Sequence, residues 1–295
     1  MAKEDVAGSA RKLGRTDVGL QIEQLDDALG AVVSGVDWQN EIAPDVIANI
    51  EHSLCEFHLV CLRTVPLTPQ IFARVAGYFG DPQLQLLRDA RDPDVHEVSV
   101  FNSTYETAES KPVDLSLDRR SGWHTDDSYF AIPAKVTLLQ ALEIPPSGGQ
   151  TRFCNAQAAF DDLPNAEQNR LLELRAVHSY DTMRAPARAV KRNLAEQQDT
   201  QDVVHPLIRT HDQTGRRAIY FNSNRTDRII DMDRDPSNAL LDHLHEHMTL
   251  PKYQYHHRWQ VGDILMWDNR SVTHSVNMDF PVGARRLHQR ILLQG

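Results

Sequence analysis

Cysteine is scarce in this chain, and long apolar runs are missing. The 295 residues include three cysteines, Cys55, Cys61 and Cys154, and they form no CxxC pair. An odd, sparse set of cysteines argues against a disulfide framework and is typical of a reducing compartment. No apolar run approaches the roughly 18 residues of a membrane span, and the polar start of the sequence shows no secretory signal. We therefore expect a cytoplasmic protein that does not associate with membranes.

Basic residues are also in deficit. Lysine and arginine total 31 against 41 aspartates and glutamates, which gives a formal net charge of −10. A general nucleic-acid binder needs the opposite balance, so we expect no nucleic-acid partner. The deficit leaves room for a local basic pocket that binds a small anion. The 41% of hydrophobic residues is enough to build a core, which excludes general disorder.

The chain has no internal repeat and no linker that would separate two domains. Residues 1–16 lack any period and are expected to be a mobile N-terminal tail, followed by a single domain over 17–295. Helical patterns occupy 44–57 and 68–79, and short strand-like runs dominate the middle and the C-terminal half. The polar segment 81–122 is expected to be a long functional loop, a lid. We predict an α+β domain built on a β-sandwich or open barrel with external helices.

The sequence WHTD places two metal-ligating side chains on one face. Residues two apart in an extended segment point the same way, so His124 and Asp126 can contact one ion. The best third ligand lies far downstream, at His274. Two histidines and one carboxylate on one face of an octahedron are typical of non-haem iron(II) oxygenases. Such a site keeps three positions open for a 2-oxo acid and dioxygen.

Residues that suit a carboxylate ligand follow and precede His274. The sequence ARRLHQR supplies Arg285, Arg286 and Arg290, and a guanidinium matches a carboxylate with two parallel hydrogen bonds. The sequence GGQT places the hydroxyl of Thr151 on a strand after a tight turn. A hydroxyl and an arginine together could hold the far carboxylate of 2-oxoglutarate.

Over nearly its whole length the chain resembles the TauD/TfdA family of iron(II)- and 2-oxoglutarate-dependent dioxygenases. The matching motifs are LGAVVSGVDW, FHLVCLRTVPLTPQIFARVAGYFG, WHTDDSYF, PPSGGQTRFCNAQAAFDDLP, HPLIRTHDQTGRRAIYFN, RWQVGDILMWDNRSVTH and RRLHQR. The resemblance implies a double-stranded β-helix, or jelly roll, with helical insertions. It also implies Fe(II), 2-oxoglutarate and O₂ as cofactor, cosubstrate and oxidant.

The resemblance further implies roles for individual residues. His124, Asp126 and His274 would be the iron ligands, and Thr151 and Arg286 would bind 2-oxoglutarate. The span after His274 is one residue longer than in the prototypes, which leaves Arg285 in contention, although the RRxxxR register favours Arg286. A carboxylate at position 126, where related halogenases have a small residue, favours oxygenation.

The substrate-binding candidates are three arginines. Arg290 matches a family position that often meets an anionic group of the primary substrate, and Arg120 and Arg225 occupy two further substrate-tuning positions. Together they favour hydroxylation of an unactivated C–H bond in a small anion, such as an aryloxyalkanoate, sulfonate or sulfate ester. Cleavage of a C–O or C–S bond can follow. Relatives are often dimers or tetramers, so a homo-oligomer is expected by analogy.

Two other functions stay open at this stage. The same chemistry could be biosynthetic, with hydroxylation, desaturation or epoxidation of an amino-acid-like or natural-product intermediate. A metal-binding protein without turnover, or a zinc hydrolase, is disfavoured because neither needs a 2-oxoglutarate site. The three histidines of DHLHEHM, at 243, 245 and 247, lack the further ligands of a zinc site and are expected to lie on a solvated helix face.

Overall fold

The computed structural model describes residues 20–102, 122–184 and 192–295, together with the backbone of residues 12–15. The helices of these residues are Pro44–Phe57 (α1), Pro69–Gly77 (α2), Ala156–Asp161 (α3), Asn165–Leu172 (α4), Leu194–Gln198 (α5) and Arg234–Met248 (α6). Two 3₁₀ turns lie at Arg88–Ala90 and Pro251–Tyr253.

The first ten strands of the described structure lie between residues 12 and 206. They are Lys12–Arg15 (β1), Gln21–Gln24 (β2), Ala31–Ser34 (β3), Leu59–Leu62 (β4), Pro82–Gln83 (β5), Ser99–Asn102 (β6), Val136–Glu143 (β7), Thr151–Asn155 (β8), Arg175–His178 (β9) and Val203–Pro206 (β10). The later strands are Ile208–Thr210 (β11), Arg217–Ile219 (β12), Thr226–Ile229 (β13), Gln254–His257 (β14), Ile264–Asp268 (β15), Val272–Val276 (β16) and Leu287–Leu293 (β17).

Two sheets position the site. The main sheet has the strand order β1-β2-β3-β4-β15-β7-β17-β5, with β6 also paired to β17. Only the β3–β4 pair of this sheet is parallel within the described residues. The second sheet has the order β14-β8-β16 and is antiparallel. Smaller sheets, β10-β9-β13 and β11-β12, complete an α+β fold.

The central strands β4 and β15 of the main sheet are buried on both faces. Along β15, Ile264 and Met266 belong to the hydrophobic cluster shared with α1 and α2. The alternate residues Leu265 and Trp267 belong to a second cluster, which also contains Phe153 of the facing sheet. Because side chains alternate along a strand, a strand covered by helices on one side and by a sheet on the other must be apolar throughout. This accounts for the continuous apolar run in GDILMW.

Helix α1 shows why the front of the chain is helical. Pro44 occupies the first turn, where its missing N–H costs nothing. Ile47, Ile50 and Leu54 recur at helical spacing and are buried against the sheet. The helix ends at His58, which adopts a left-handed conformation (φ 65°) and whose N–H donates to the carbonyl of Leu54 at 2.8 Å.

Parts of the expected tail and of the expected lid segment form strands in the structure. The end of the expected N-terminal tail contains β1, which pairs with β2, while residues 1–11 and 16–19 lie outside the described residues. The expected lid segment 81–122 begins with β5 and ends its described part with β6, and both pair with β17. Backbone pairing to a long strand satisfies their polar groups, so this part belongs to the sheet. Residues 103–121 lie outside the described residues.

Candidate metal centre and its cavity

His124 and His274 are brought together by backbone pairing. The two residues form an antiparallel bridge, with N–O distances of 2.8 Å and 2.7 Å, and their ring centroids lie 4.1 Å apart. Asp126, two residues further along, turns its carboxylate to both rings. Its Oδ1 lies 3.9 Å from His124 Nε2, and its Oδ2 lies 3.8 Å from His274 Nε2. The three predicted ligands therefore meet, with one ligand atom of each within 4.8 Å of the others.

The protonation states of this group suit a divalent metal. Burial lowers the pKa of His274 to about 3, and the charge of His124 adds to that effect, so the ring stays neutral at pH 7. Burial raises the pKa of Asp126, but electrostatic interactions with His274, Arg290 and His124 and a hydrogen bond from Thr137 outweigh that effect and lower the pKa to about 2. His124 Nδ1 lies 2.6 Å from the carbonyl of Gly122, which orients Nε2 toward the centre. Neutral imidazoles and an ionised carboxylate are the forms that bind metals.

Residues that the sequence analysis did not single out fix the orientation of Asp126. Thr137 on β7 donates its hydroxyl to Asp126 Oδ2 at 2.7 Å. Asn269, in the turn after β15, donates to Thr137 Oγ1 at 2.8 Å and accepts the backbone N–H of Asp126 at 3.2 Å. Trp267 donates to the same Asn269 oxygen at 3.0 Å. Trp267 and Asn269 of the WDN motif are the sequence signal for this network.

A second group of ligand-type residues is a less suitable metal site. Cys61, His257 and Asp263 are fully buried and close together. Arg63 donates to both oxygens of Asp263, at 2.7 Å and 3.0 Å, and His257 contacts Oδ2 at 3.1 Å. Burial also raises the pKa of Cys61 well above its usual range, which keeps the thiol protonated. The guanidinium already balances the carboxylate, so this group is a structural hydrogen-bond network.

Thr151 and Arg286 lie together at the predicted cosubstrate position. Thr151 begins β8, and Arg286 Nη2 approaches its Oγ1 at 3.4 Å. Arg286 Nε donates to the carbonyl of Gly149 at 3.2 Å, and Trp259 Nε1 donates to Thr151 Oγ1 at 3.1 Å. Arg286 is buried, whereas 60% of the Arg285 side chain is exposed and pairs with Glu143. The interior arginine is therefore Arg286, as the register favoured.

The metal-binding group opens into a cavity of about 260 Å³. His124, Asp126, Arg225 and Arg290 line it, whereas Thr151 and Arg286 are not among its described lining residues. Arg290 donates to Asp126 Oδ1 at 3.2 Å and to Gln85 Oε1 at 2.7 Å. This cavity brings two of the three predicted substrate-binding arginines to the metal-binding group.

Arg225 is held in place by aromatic rings. Its guanidinium carbon lies 4.3 Å from the ring centre of Tyr180 and 5.4 Å from that of Tyr129. Its Nη1 donates to the carbonyl of Tyr180. A buried guanidinium between two rings keeps its charge and loses little freedom when it binds an anion. Arg120, the third predicted arginine, lies outside the described residues.

Asp127 is a cavity residue that the sequence analysis missed. Its backbone is left-handed (φ 53°), and its side chain accepts hydrogen bonds from Tyr129 at 2.7 Å and Gln83 at 3.0 Å. Burial, assisted by the charge of Asp126, raises its pKa to about 6 against the opposing charge of Arg290. The cavity therefore contains a weakly acidic carboxyl group beside its arginines.

The expected solvated face of histidines is wrong for one member. His243 is exposed and lies 3.2 Å from Glu167. His245 is buried, and its Nδ1 lies 3.1 Å from the hydroxyl of Ser223 in the loop that carries Arg225. Helix α6 thus supports that loop, because its buried face continues through His245.

Comparison with known proteins agrees with this geometry. The model of the family described as "Taurine catabolism dioxygenase TauD, TfdA family" matches residues 21–292. The chain belongs to the TauD/TfdA family. It is an oxidoreductase whose cofactor is iron(II) and whose cosubstrates are 2-oxoglutarate and dioxygen. No helix in the described part of this TauD/TfdA protein is long and apolar enough to cross a membrane.

Individual relatives have different activities. The 2,4-dichlorophenoxyacetate dioxygenase of Burkholderia sp. (strain RASC) is 29% identical over 94% of this chain and 95% of its own length. The pentalenolactone F synthase of Streptomyces arenae is 29% identical over 88% of this chain and 91% of its own. A solved taurine dioxygenase from Burkholderia xenovorans is 26% identical, with a TM-score of 0.79 over 94% of this chain and 89% of that one. The three names include degradative and biosynthetic enzymes.

Proposed function

We propose that this protein hydroxylates an unactivated C–H bond of a small organic anion. The observation that carries the proposal is the placement of two guanidiniums, Arg225 and Arg290, in the same cavity as His124 and Asp126. A relative that acts on 2,4-dichlorophenoxyacetate, an aryloxyalkanoate, supports the same substrate class. Sulfonates and sulfate esters present equivalent anionic groups.

In this proposal His124, Asp126 and His274 hold the iron, and Thr151 and Arg286 bind the distal carboxylate of 2-oxoglutarate. Bound iron(II), with 2-oxoglutarate and dioxygen, supplies the oxidising power to break an unactivated C–H bond. Phe153 and Trp267 stack about His274, with ring centroids 6.0 Å and 4.7 Å away, and exclude water from its buried side. Hydroxylation at a carbon bonded to oxygen or sulfur leads to cleavage of the C–O or C–S bond.

The arginines orient the substrate in this proposal. Arg225 is already fixed between Tyr180 and Tyr129, so its side chain loses little conformational entropy when it binds an anion. Arg290 contacts Asp126 Oδ1 and can exchange part of that contact for the substrate anion. A carbon held between the anion and the metal-binding group is then the position of attack.

A biosynthetic role on an amino-acid-like intermediate is the second candidate. Asp127 lines the same cavity and could pair with an ammonium group while an arginine binds the carboxylate. The similarity to a pentalenolactone F synthase supports a natural-product substrate.

We also propose that the two facing sheets form the double-stranded β-helix of the family, within one domain over 17–295. The antiparallel β14-β8-β16 sheet packs against the main sheet through Phe153 and Trp267, whose ring centroids lie 5.4 Å apart.

The test is succinate release from 2-oxoglutarate with Fe(II), ascorbate and air. A panel of aryloxyalkanoates, alkylsulfonates, alkyl sulfates, phosphonates and amino acids is offered, and we expect an anionic member to stimulate release. Arg225→Met should raise the KM for that substrate about 10- to 100-fold, as expected for loss of a charge-assisted contact. Arg228→Met is the matched control, because Arg228 is a half-exposed arginine paired with Asp227.

Each part of the proposal has its own contradicting result. Succinate release that survives Asp126→Ala would contradict the metal assignment. An unchanged KM in Arg225→Met would remove that residue from the substrate site. Stimulation by amino acids alone, lost in Asp127→Asn, would favour the biosynthetic candidate.

A further inference from the structure

His288 and Arg290, two residues apart in the last strand, face the same side of the main sheet, and a register shift between Leu287 and His288 separates them from Arg286. Arg286 precedes β17 and contacts Thr151, and Arg290 contacts Asp126. His288 lies between them, and residues two apart in a strand share a face. The intervening Gln289 points the other way, where it donates to the carbonyl of Leu67 at 2.9 Å. His288 therefore stands between the proposed cosubstrate pair and the metal-binding group.

The surroundings of His288 connect it to the cosubstrate pair. Its ring lies edge-on to Trp259, with centroids 4.7 Å apart. The same indole donates to Thr151 Oγ1, the atom that Arg286 also approaches. A second cavity, of about 390 Å³, opens beside this group and is lined by Trp259 and by the turn at 144–150.

The polar atoms of His288 are unsatisfied. The residue is fully buried, and neither ring nitrogen has a hydrogen-bond partner among the residues that the structure describes. Buried polar groups are nearly always paired, so a ring with two unpaired nitrogens calls for a ligand or another explanation. Burial, with the charges of Arg286 and His257, lowers the pKa of His288 well below its usual range. The ring is therefore neutral at pH 7 and retains one N–H donor.

We propose that His288 is a third protein group of the cosubstrate site and donates its ring N–H to the distal carboxylate of 2-oxoglutarate. The inference rests on the proposed assignment of Thr151 and Arg286 to that carboxylate. A neutral donor beside a guanidinium and a hydroxyl adds a hydrogen bond without adding charge. It also explains why an apolar interior retains an imidazole at this position.

Calorimetry without turnover tests the inference. The protein is loaded with Mn(II) under anaerobic conditions and titrated with 2-oxoglutarate or with 2-oxopentanoate, which has a methyl group in place of the distal carboxylate. His288→Leu should raise the Kd for 2-oxoglutarate about 10-fold and leave the Kd for 2-oxopentanoate unchanged. His288→Gln, which keeps an N–H donor, should stay within about threefold of the original protein.

Controls distinguish the role of His288 from the proposed assignment of Thr151 and Arg286 to the cosubstrate site. His256→Leu removes an exposed ring that contacts Gln254 and should change neither Kd. Equal weakening of both ligands by His288→Leu would make His288 a packing residue and overturn the inference. An unchanged Kd for 2-oxoglutarate in His288→Leu overturns it as well. If Arg286→Ala still loses affinity in that case, the proposed cosubstrate site stands, and if Arg286→Ala also binds normally, that site is wrong. Should His288→Leu fail to fold, His288→Met makes the same comparison.

Discussion

Asp126 reaches its position through hydroxyl and amide groups that come from distant parts of the chain. Thr137 and Asn269 lie on different segments, yet they form one hydrogen-bonded unit with the Asp126 carboxylate and backbone. Groups that hold a ligand in one orientation contribute to metal affinity because less ordering remains to be done on binding.

Thr137→Val should weaken metal binding without unfolding the protein. Valine has nearly the same shape but cannot donate to Asp126, so we expect the Kd for Mn(II) to rise about 10-fold. Calorimetric titration of the metal-free protein with Mn(II) measures this Kd. Thr273→Val is the control, because the Thr273 hydroxyl is also buried but has no partner among the described residues. Equal Kd values for both variants would show that the Thr137 hydroxyl has no such role.

The residue scale also shows what a sequence pattern can decide. The spacing of His124 and Asp126 is local, so their shared face is predictable from two-residue periodicity alone. The choice between Arg285 and Arg286 depends on which neighbour points inward. The structure resolves it through the exposed pair of Arg285 with Glu143 and the buried contacts of Arg286.

Among the elements, the turn between β7 and β8 aligns Thr151 and Arg286, the proposed cosubstrate pair. Gly148 and Gly149 both have positive φ, 70° and 71°, and the N–H of Gly149 donates to Asp279 at 2.8 Å. A Cβ at Gly148 would lie 2.5 Å from Asp279 Oδ1 and 2.9 Å from its backbone. The turn therefore accepts only glycine, and it sets the start of β8 at Thr151.

Gly148→Ala should lower the free energy of unfolding by at least about 3 kcal/mol, because backbone strain and steric overlap add. It should also weaken 2-oxoglutarate binding, since Gly149 accepts from Arg286. Chemical denaturation and calorimetry measure the two effects. Gly215→Ala measures the backbone strain without steric overlap, because Gly215 has φ 70° and no atom of the described residues lies within 4 Å of the position of a Cβ. It should cost about 1 kcal/mol. Equal losses in both variants would contradict the steric argument.

Helices and strands were predictable from the sequence where the hydrophobic pattern was long or where every residue of a strand was buried. Helices α1 and α2 lie within the expected ranges 44–57 and 68–79. The sequence AEQNRLLELRAV (166–177) has a helical pattern throughout, but helix α4 ends at Leu172, and Arg175–His178 pairs with β10 and β13. That short stretch has helical neighbours, and only its distant partners make it a strand.

At the scale of the whole molecule, buried neutral histidines couple folding to pH. Burial lowers the pKa of His58 to about 4 and that of His178 to about 3, from 6.5 in the unfolded chain. Between pH 6.5 and those values, the unfolded chain binds protons that the folded protein does not. Lowering the pH through this window therefore favours unfolding, and stability is fully present only above about pH 6.5.

Each such histidine should contribute a slope of about 1.4 kcal/mol per pH unit well inside the window. His178→Phe should reduce the slope of unfolding free energy between pH 5.5 and 4.5 by about that amount, measured by urea denaturation. His52→Phe is the control, because 80% of the His52 side chain is exposed. A slope that His178→Phe leaves unchanged would mean that His178 is protonated in the folded state.

Local sequence was enough to predict the spacing of His124 and Asp126, the apolar strands and the class of chemistry, because these depend on neighbouring residues in the chain. Long-range contacts place Arg286 in the interior, hold Asp126 through Thr137 and Asn269, and bury His288 with no hydrogen-bond partner among the described residues. These features depend on strands far apart in sequence, whose register places one side chain against another. Local periodicity predicts which face of a strand a side chain occupies, but the residues that it contacts depend on pairing between strands that are distant in sequence.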